Sequence, residues 1–426
     1  MPDSGQICSF CDRPRNEVKS LLSNDNEDNP AFICSRCVGE CGRAIEAAQA
    51  ESSGDNPLKR PKELKAELDE YVIAQEDSKR EVAIAMYEHA RRREVSQGEG
   101  YLIIEGEDGQ PEQVEIEKSN ILQLGPSGTG KTHIARALAR MLDLPFFVGD
   151  ASSLTQAGYV GDDVESLLQG IIAAADGDIE RAQWGIIFLD EIDKIARKSG
   201  RTTGGFRDVT GEGVQQALLK VVEGSKVVVP RGQGAKMVVS GGAGGDIIDT
   251  TNILFICAGS FAGIETIVEA RLNKDAGMGF GRANKQMLEK EAYRQVTVDD
   301  IEEFGIIPEL AGRLPVLTST YTFTEDELIE ILTKPKNAIL KQFRATYQMD
   351  GISLQFDEAA VRAIAKEAAK RPTGARALRQ VTKAVLKPYS FDAPSDPDIR
   401  SILITEDAVT NPGCAKIVRA DSTATA

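Results

Sequence analysis

The sequence predicts an α/β protein built on a parallel sheet, with a small cysteine-rich segment in front and a smaller α-rich segment behind. Three observations carry that prediction. Five of the seven cysteines fall within the first 41 residues. Two apolar runs, Ile121-Leu122-Gln123-Leu124 and Trp184 to Leu189, the latter ending in Asp190-Glu191, read as buried strands of a parallel sheet. After residue 323 the pattern turns helical, rich in alanine, leucine and isoleucine. At about 150 residues per domain, 426 residues are material for roughly three domains. The boundaries read as 1–49, a linker at 50–62, a large domain at 63–318, a small domain at 319–412 and a tail at 413–426, its last residues, 421–426, expected to be disordered.

The cysteines come first. Cys8-Ser9-Phe10-Cys11 and Cys34-Ser35-Arg36-Cys37 are two C-x-x-C knuckles, each turning tightly enough to aim two thiolates at one ion. Together they make a four-sulfur zinc site of treble-clef or ribbon type, with polar residues 23–29 as an extended loop between the knuckles. Disulfide pairing is the bland alternative and does not suit a cytosolic chain. Cys41 could replace Cys37, but the paired spacing makes it a spare on a helix face. Four sulfurs leave no open coordination position, so the site reads as structural, with zinc supplying most of the segment's folding free energy. Zinc ribbons also bind nucleic acid, and that reading stays open here. Residues 50–61 are small, polar and proline-bearing, as a linker is.

The first apolar strand runs into Gly125-Pro126-Ser127-Gly128-Thr129-Gly130-Lys131-Thr132, and a helical pattern opened by His133 follows. Strand, glycine loop and helix are the context a phosphate-binding loop requires. Glycines let backbone N–H groups converge on phosphate oxygens, and the helix N-terminus adds its positive end. Lys131 then reaches the β- and γ-phosphates and Thr132 holds Mg2+. The second strand ends in Asp190-Glu191, which a parallel sheet delivers beside that loop. Asp190 orients Mg2+ and Glu191 polarises a water. Capping of the next helix is the bland reading of these carboxylates, and the matched loop displaces it. ATP hydrolysis follows.

Zinc knuckles, phosphate loop and Asp-Glu strand in this order resemble the ClpX branch of the AAA+ ATPases, over nearly the whole chain. Leu68 to Gln75 looks like that family's adenine-side segment, which implies that Val72 and Ile73 pack on the base; Ala74 stands where the family commonly has glycine. Gly305 to Pro315 looks like the arginine-finger segment, which places Arg313, and Thr373 to Arg379 looks like the sensor-2 helix start, which places Arg376. Charge developing on a transferring phosphoryl group gives both arginines a use, one of them in trans. Gly158-Tyr159-Val160-Gly161 matches the family's pore loop, where Tyr159 and Val160 would grip any polypeptide by dispersion and burial. Residues 199–210 are placed as a second pore loop by position alone. Met278-Gly279-Phe280 resembles the loop that docks on a ClpP-type peptidase, methionine replacing a branched aliphatic residue. Where many relatives carry a basic Arg-Lys-His loop, residues 230–245 keep only Arg231 and Lys236.

The resemblance implies a homo-hexameric, ATP-driven unfoldase that threads protein substrates into a ClpP-type peptidase, with substrates and adaptors recruited by the zinc segment. It also implies ATP, Mg2+ and Zn2+ as cofactors. One rival keeps the motor and drops the peptidase, leaving a remodelling chaperone. Another is a zinc-ribbon nucleic-acid motor or clamp loader. Formal net charge −16, from 50 basic and 66 acidic residues, opposes a polyanion binder. A polar, acidic start and the lack of an apolar run near 18 residues predict a cytoplasmic chain with no signal peptide or membrane span.

Overall fold

The structure, a computed structural model, describes residues 7–11, 13–23, 31–39, 41, 58–97, 101–105, 110–154, 164–197, 211–229, 245–275, 289–371 and 373–420. It divides into two compact units, residues 1–58 and 59–426. The second unit thus begins at Lys59, a few residues before the expected end of the linker. Its first helix starts at Pro61, where a missing N–H costs nothing.

The first unit holds an antiparallel pair, β1 (Leu21–Ser23) and β2 (Phe32–Cys34), with Leu21 opposite Cys34. Among the described residues its core is three buried cysteines, Cys8, Cys34 and Cys37, with Cys11, Val18, Leu21 and Ile33 packed around them. So little apolar material cannot stabilise a fold of this size alone.

The second unit opens with two helices, α1 (Pro61–Asp69) and α2 (Glu76–Gln97), and an antiparallel hairpin, β3 (Leu102–Glu105) with β4 (Pro111–Val114). Next come β5 (Ile121–Leu124), α3 (Lys131–Met141), β6 (Phe146–Asp150), α4 (Glu165–Ala174) and β7 (Ile186–Asp190). They are followed by α5 (Gly211–Glu223), a second hairpin of β8 (Lys226–Val229) and β9 (Asp246–Asp249), β10 (Leu254–Gly259), α6 (Ile264–Asp275), α7 (Val298–Phe304) and β11 (Val316–Ser319). Five strands form one parallel sheet in the order β11-β5-β10-β7-β6. Side chains alternate between its faces. Ile187 and Leu189 pack with Phe255, Cys257 and Leu218 on one side. On the other, Ile186 and Phe188 meet Ile256, Leu138, Met86 and Leu68. Burial on both faces is why these strands read as continuous apolar runs.

The small domain follows as α8 (Glu325–Thr333), α9 (Ile339–Met349), β12 (Ser353–Phe356), α10 (Glu358–Ala369), α11 (Arg376–Asp392), β13 (Ile399–Ile404) and β14 (Lys416–Arg419). Strand β13 lies between parallel β12 and antiparallel β14. The sequence reading therefore ended this domain too early: 416–419, placed in the tail, complete its sheet. All four β14 side chains are exposed, so the strand shows no alternation to read. Residues 421–426 lie outside the described residues.

Candidate functional site

Strand β5 ends at Leu124, and the loop that follows is shaped by close approaches. At Gly125 (φ +133°) a Cβ would lie 2.2 Å from the Thr320 carbonyl oxygen, and at Gly128 (φ +78°) one would lie 2.1 Å from that of Thr373. Only glycine fits either place. Gly130 precedes α3 with no side-chain cap, so the first N–H groups of the helix are left for a ligand. Thr132 and His133 stand on that first turn, half-buried and exposed. Lys131 folds back, its ammonium 2.6 Å from the Gly125 carbonyl and 2.8 Å from that of Pro126. Burial pulls its pKa down to about 8, while the Asp190 and Asp193 carboxylates act upward.

Asp190 ends β7 at the same edge of the sheet, half-buried. Glu191 follows in a left-handed conformation (φ +57°), exposed, its N–H donating to Asp190 Oδ1 at 3.0 Å. A non-glycine residue in that region carries backbone strain, a frequent companion of reacting groups. Beyond it Asp193 accepts two bonds from Ser260, from its N–H at 3.1 Å and its hydroxyl at 3.0 Å. The carboxylate thereby ties the end of β10 to the Asp-Glu strand. Sequence reasoning missed Asp193 and Ser260; the apolar run 253–258 ending in Gly259-Ser260 was the available signal.

The two arginines part company. Arg376 opens α11 of the small domain, and its guanidinium donates to Ser127 Oγ at 3.4 Å while the Ala375 N–H donates to the Gly128 carbonyl at 3.1 Å. Arg313 is exposed and paired with Glu223 at 3.0 Å. Its carbonyl accepts from the Asn120 amide at 3.0 Å, and Asn120 immediately precedes β5. Arg313 is thus at the opposite edge of the sheet from the phosphate loop, roughly 16 Å of strand away. The base-side segment lies between α1 and α2, with Val72 buried and Ile73 half-buried.

In the first unit the four sulfurs of Cys8, Cys11, Cys34 and Cys37 all lie within 4.8 Å of one another, and all are free thiols. The Cys34 N–H points at Cys8 Sγ (3.3 Å) and the Cys37 N–H at Cys34 Sγ (3.5 Å), as in a knuckle built for thiolates. Burial raises the Cys8 thiol, but backbone N–H groups of Phe10, Cys34 and Cys11 outweigh it and hold its pKa at about 6. Cys37 is driven up by its bond to Cys11 and by burial. Four crowded sulfurs that share protons unevenly suit a soft dication that replaces those protons. Cys41 is outside the cluster.

Tyr159 and Val160, residues 199–210, Arg231 and Lys236, and Met278, Gly279 and Phe280 lie outside the described residues.

Parallel sheet, phosphate loop, Asp-Glu strand and a small domain seated on that loop define an AAA+ ATPase. The sequence matches the AAA domain (Cdc48 subfamily) over residues 116–317, the ClpX C4-type zinc finger over 6–47 and the C-terminal, D2-small domain of ClpB protein over 323–402. It is 43% identical to the ATP-dependent Clp protease ATP-binding subunit ClpX of Treponema denticola, across 95% of this chain and 94% of that protein. Identity to ClpX 3 of Methylococcus capsulatus is 40%, across 99% and 97%. For the ClpX of Porphyromonas gingivalis it is 42%, across 92% of each. The chain belongs to the ClpX family. Its nucleotide is ATP with Mg2+, and its four-cysteine cluster is a zinc site.

Proposed function

We propose that this chain is an ATP-driven protein unfoldase that assembles as a homo-hexamer and threads substrates into a ClpP-type peptidase. The observation that carries this reading is the seat of the small domain on the phosphate loop. Ala375 and Arg376 bond directly to Gly128 and Ser127, so whatever fills the loop bears on the angle between two domains. An enzyme that only hydrolysed ATP would have no use for that linkage; a motor does.

Bound ATP with Mg2+ supplies the transferable phosphoryl group and its charge-neutralising ion. The remaining roles belong to this chain. Residues Gly125 to Thr132 hold the phosphates, with Lys131 as their cation and His133 behind them on the helix. Thr132 and Asp190 hold Mg2+, Glu191 orients the attacking water, and Arg376 senses phosphate within the subunit. Arg313 faces away from its own site and serves a neighbour's, as a trans arginine does. Val72 and Ile73 receive the adenine. Tyr159 and Val160 grip the substrate, and Met278, Gly279 and Phe280 dock the peptidase. Cys8, Cys11, Cys34 and Cys37 hold Zn2+ in a unit that recruits substrates and adaptors. The domain limits are 59–318 for the motor core and 319–420 for the small domain. Among the described residues no helix is long and apolar enough to cross a membrane, and we place the protein in the cytoplasm. With a net charge of −16 no nucleic-acid partner is expected.

The test is loss of fluorescence from a stable tagged reporter, with and without a ClpP-type peptidase. Unfolding must require ATP and stop in Glu191→Gln. An enzyme that hydrolyses ATP but unfolds no reporter under several tags, and instead binds DNA with steep salt dependence, would make this the wrong motor.

A further inference from the structure

The turn joining α1 to α2 touches the small domain or its connection at both ends. At the start, the Glu70 carbonyl accepts from the Lys336 N–H at 2.8 Å, and its carboxylate pairs with the Lys336 ammonium at 2.5 Å. At the end, Gln75 is only 1% exposed. Its amide donates to the Tyr321 carbonyl at 2.7 Å and accepts from the Tyr321 N–H at 3.1 Å. Tyr321 lies just past β11, on the stretch that leads into the small domain, and its hydroxyl donates to Glu327 of α8 at 3.0 Å.

One primary amide thus pairs with both backbone groups of one residue, as a neighbouring strand would. Breaking either bond leaves a buried polar group alone, at about 1–3 kcal/mol. The turn is also strained, for Ala74 and Gln75 both sit at left-handed φ, +57° and +58°. Such a pair persists only where the surroundings over-determine it. Here Lys79, with its side chain 2% exposed, does so from beneath. Its ammonium holds Asp69 at 2.5 Å and Glu76 at 2.6 Å and reaches the Val72 carbonyl at 3.4 Å. Val72 and Ile73 lie between the two ties.

We infer that Gln75 is a positioning residue through which the connection between the domains registers a base in this turn, separately from phosphate registered at Ser127 and Arg376. This rests on the reading of Val72 and Ile73 as adenine contacts. Two lines therefore run from one nucleotide to the small domain: phosphate through Gly128 and Ala375, base through Gln75 and Tyr321. A polyphosphate without a base engages the first alone.

Hydrogen exchange on the full chain tests this, in a Glu191→Gln background so that ATP persists, with Mg-ATP, Mg-tripolyphosphate or neither. We expect ATP to slow exchange of the Tyr321 amide about tenfold more than tripolyphosphate does. Gln75→Met, similar in length but without the amide, abolishes that difference. Gln75→Glu keeps the acceptor for the Tyr321 N–H and preserves part of it. With Glu191 intact, Gln75→Met raises the KM for ATP more than it lowers kcat. A merely structural glutamine would lower Tm and leave the contrast between ATP and tripolyphosphate in place, which overturns the inference. So does ATP protection of Val72 and Ile73 with none at Tyr321. If ATP protects neither Val72 nor Ile73, the base does not bind there, and the adenine reading falls with it. Should Gln75→Met fail to fold, the same contrast in Gln75→Glu decides: full retention overturns the inference and reduction supports it.

Discussion

Lys131 folds onto the backbone of its own loop, its ammonium 2.6 Å from the carbonyl of Gly125. Two carbonyls hold the cation, and burial has brought its pKa to about 8; on the proposed function, phosphate oxygens of ATP would take the place of those carbonyls. The free site therefore carries its charge below pH 8 and loses it above, whereas bound phosphate favours the protonated form. ATP binding should weaken on the alkaline side: KM at pH 9 about tenfold above that at pH 7. Lys131→Arg keeps its charge past pH 12 and should remove the alkaline limb even where it binds less well. A KM flat from pH 7 to 9.5 in the wild type would refute this.

Two glycines with similar φ should respond differently to the same substitution. Gly128 (φ +78°) has the Thr373 carbonyl 2.1 Å from where a Cβ would stand, whereas Gly177 (φ +84°) has nothing within 4 Å. Gly177→Ala adds backbone strain alone, about 1–2 kcal/mol, and should keep ATPase activity at 25 °C. Gly128→Ala must push Thr373 and the start of α11 off the loop, and should lose most of the activity. Equal ATPase rates for the two variants would show that the small domain does not sit on the loop when nucleotide is bound.

Asp300, with its side chain 2% exposed, makes two 2.9 Å bonds to the Arg271 guanidinium and caps α7 through the Thr297 N–H. Burial works to raise its pKa, but Arg271 and Thr297 outweigh it and hold the carboxyl below its ordinary 3.8. A depressed folded-state pKa gives stability that is present above the unfolded value and lost as pH falls through the folded one. Asp300→Asn should cost about 2–3 kcal/mol near neutral pH, since the half-buried Arg271 guanidinium keeps its bond to the Gln295 carbonyl but loses its charged partner. As pH falls below the ordinary carboxylate range the gap to wild type should narrow. Urea melts at pH 7 and pH 3 measure both.

What the sequence could show follows from where each residue's partners lie. Strands β5 and β7 were legible because burial on both faces demands unbroken apolar residues, and the phosphate loop because its glycines answer to local backbone geometry. Strand β14 was not, since an exposed edge strand imposes no pattern. Lys79 reads as a surface lysine with Glu76 one helical turn before it; only the fold buries it and brings Asp69 to it. Gln75 and Tyr321 are 246 positions apart, and nothing local to either announces the other. Arg313 and Arg376 were reached through family resemblance, because a lone arginine carries no signal of its own.

Zinc should matter to one unit and not to the chemistry of the other. Among the described residues of 7–41 the core is three cysteines and little else, so metal release should unfold that segment. Cys34→Ser removes a buried sulfur that also accepts the Cys37 N–H, and should abolish stoichiometric zinc. Limited proteolysis would then cut within the first 58 residues while residues 59–426, a separate compact unit, keep their ATPase. A variant that retains one zinc per chain, or loses ATPase along with it, contradicts the assignment.

Arg313 cannot serve the phosphate loop of its own subunit, for Asn120 pins its carbonyl at the opposite edge of the sheet and Glu223 holds its side chain there. If it acts on a neighbour, Arg313→Ala and Glu191→Gln should each abolish hydrolysis alone, the second by a factor on the order of 100 or more. Each variant leaves intact what the other lacks. Mixed from separately purified, dissociated subunits, they should form rings in which an intact Glu191 sometimes faces an intact Arg313 from the next chain. With equal amounts and random order, about a quarter of the interfaces are whole, and ATPase should recover toward that fraction. Recovery requires trans action, since neither chain has a complete set of its own. If mixing restores nothing while cross-linking shows mixed rings, Arg313 does not act in trans, and its ion pair with Glu223 is only a surface contact worth about 0–1 kcal/mol.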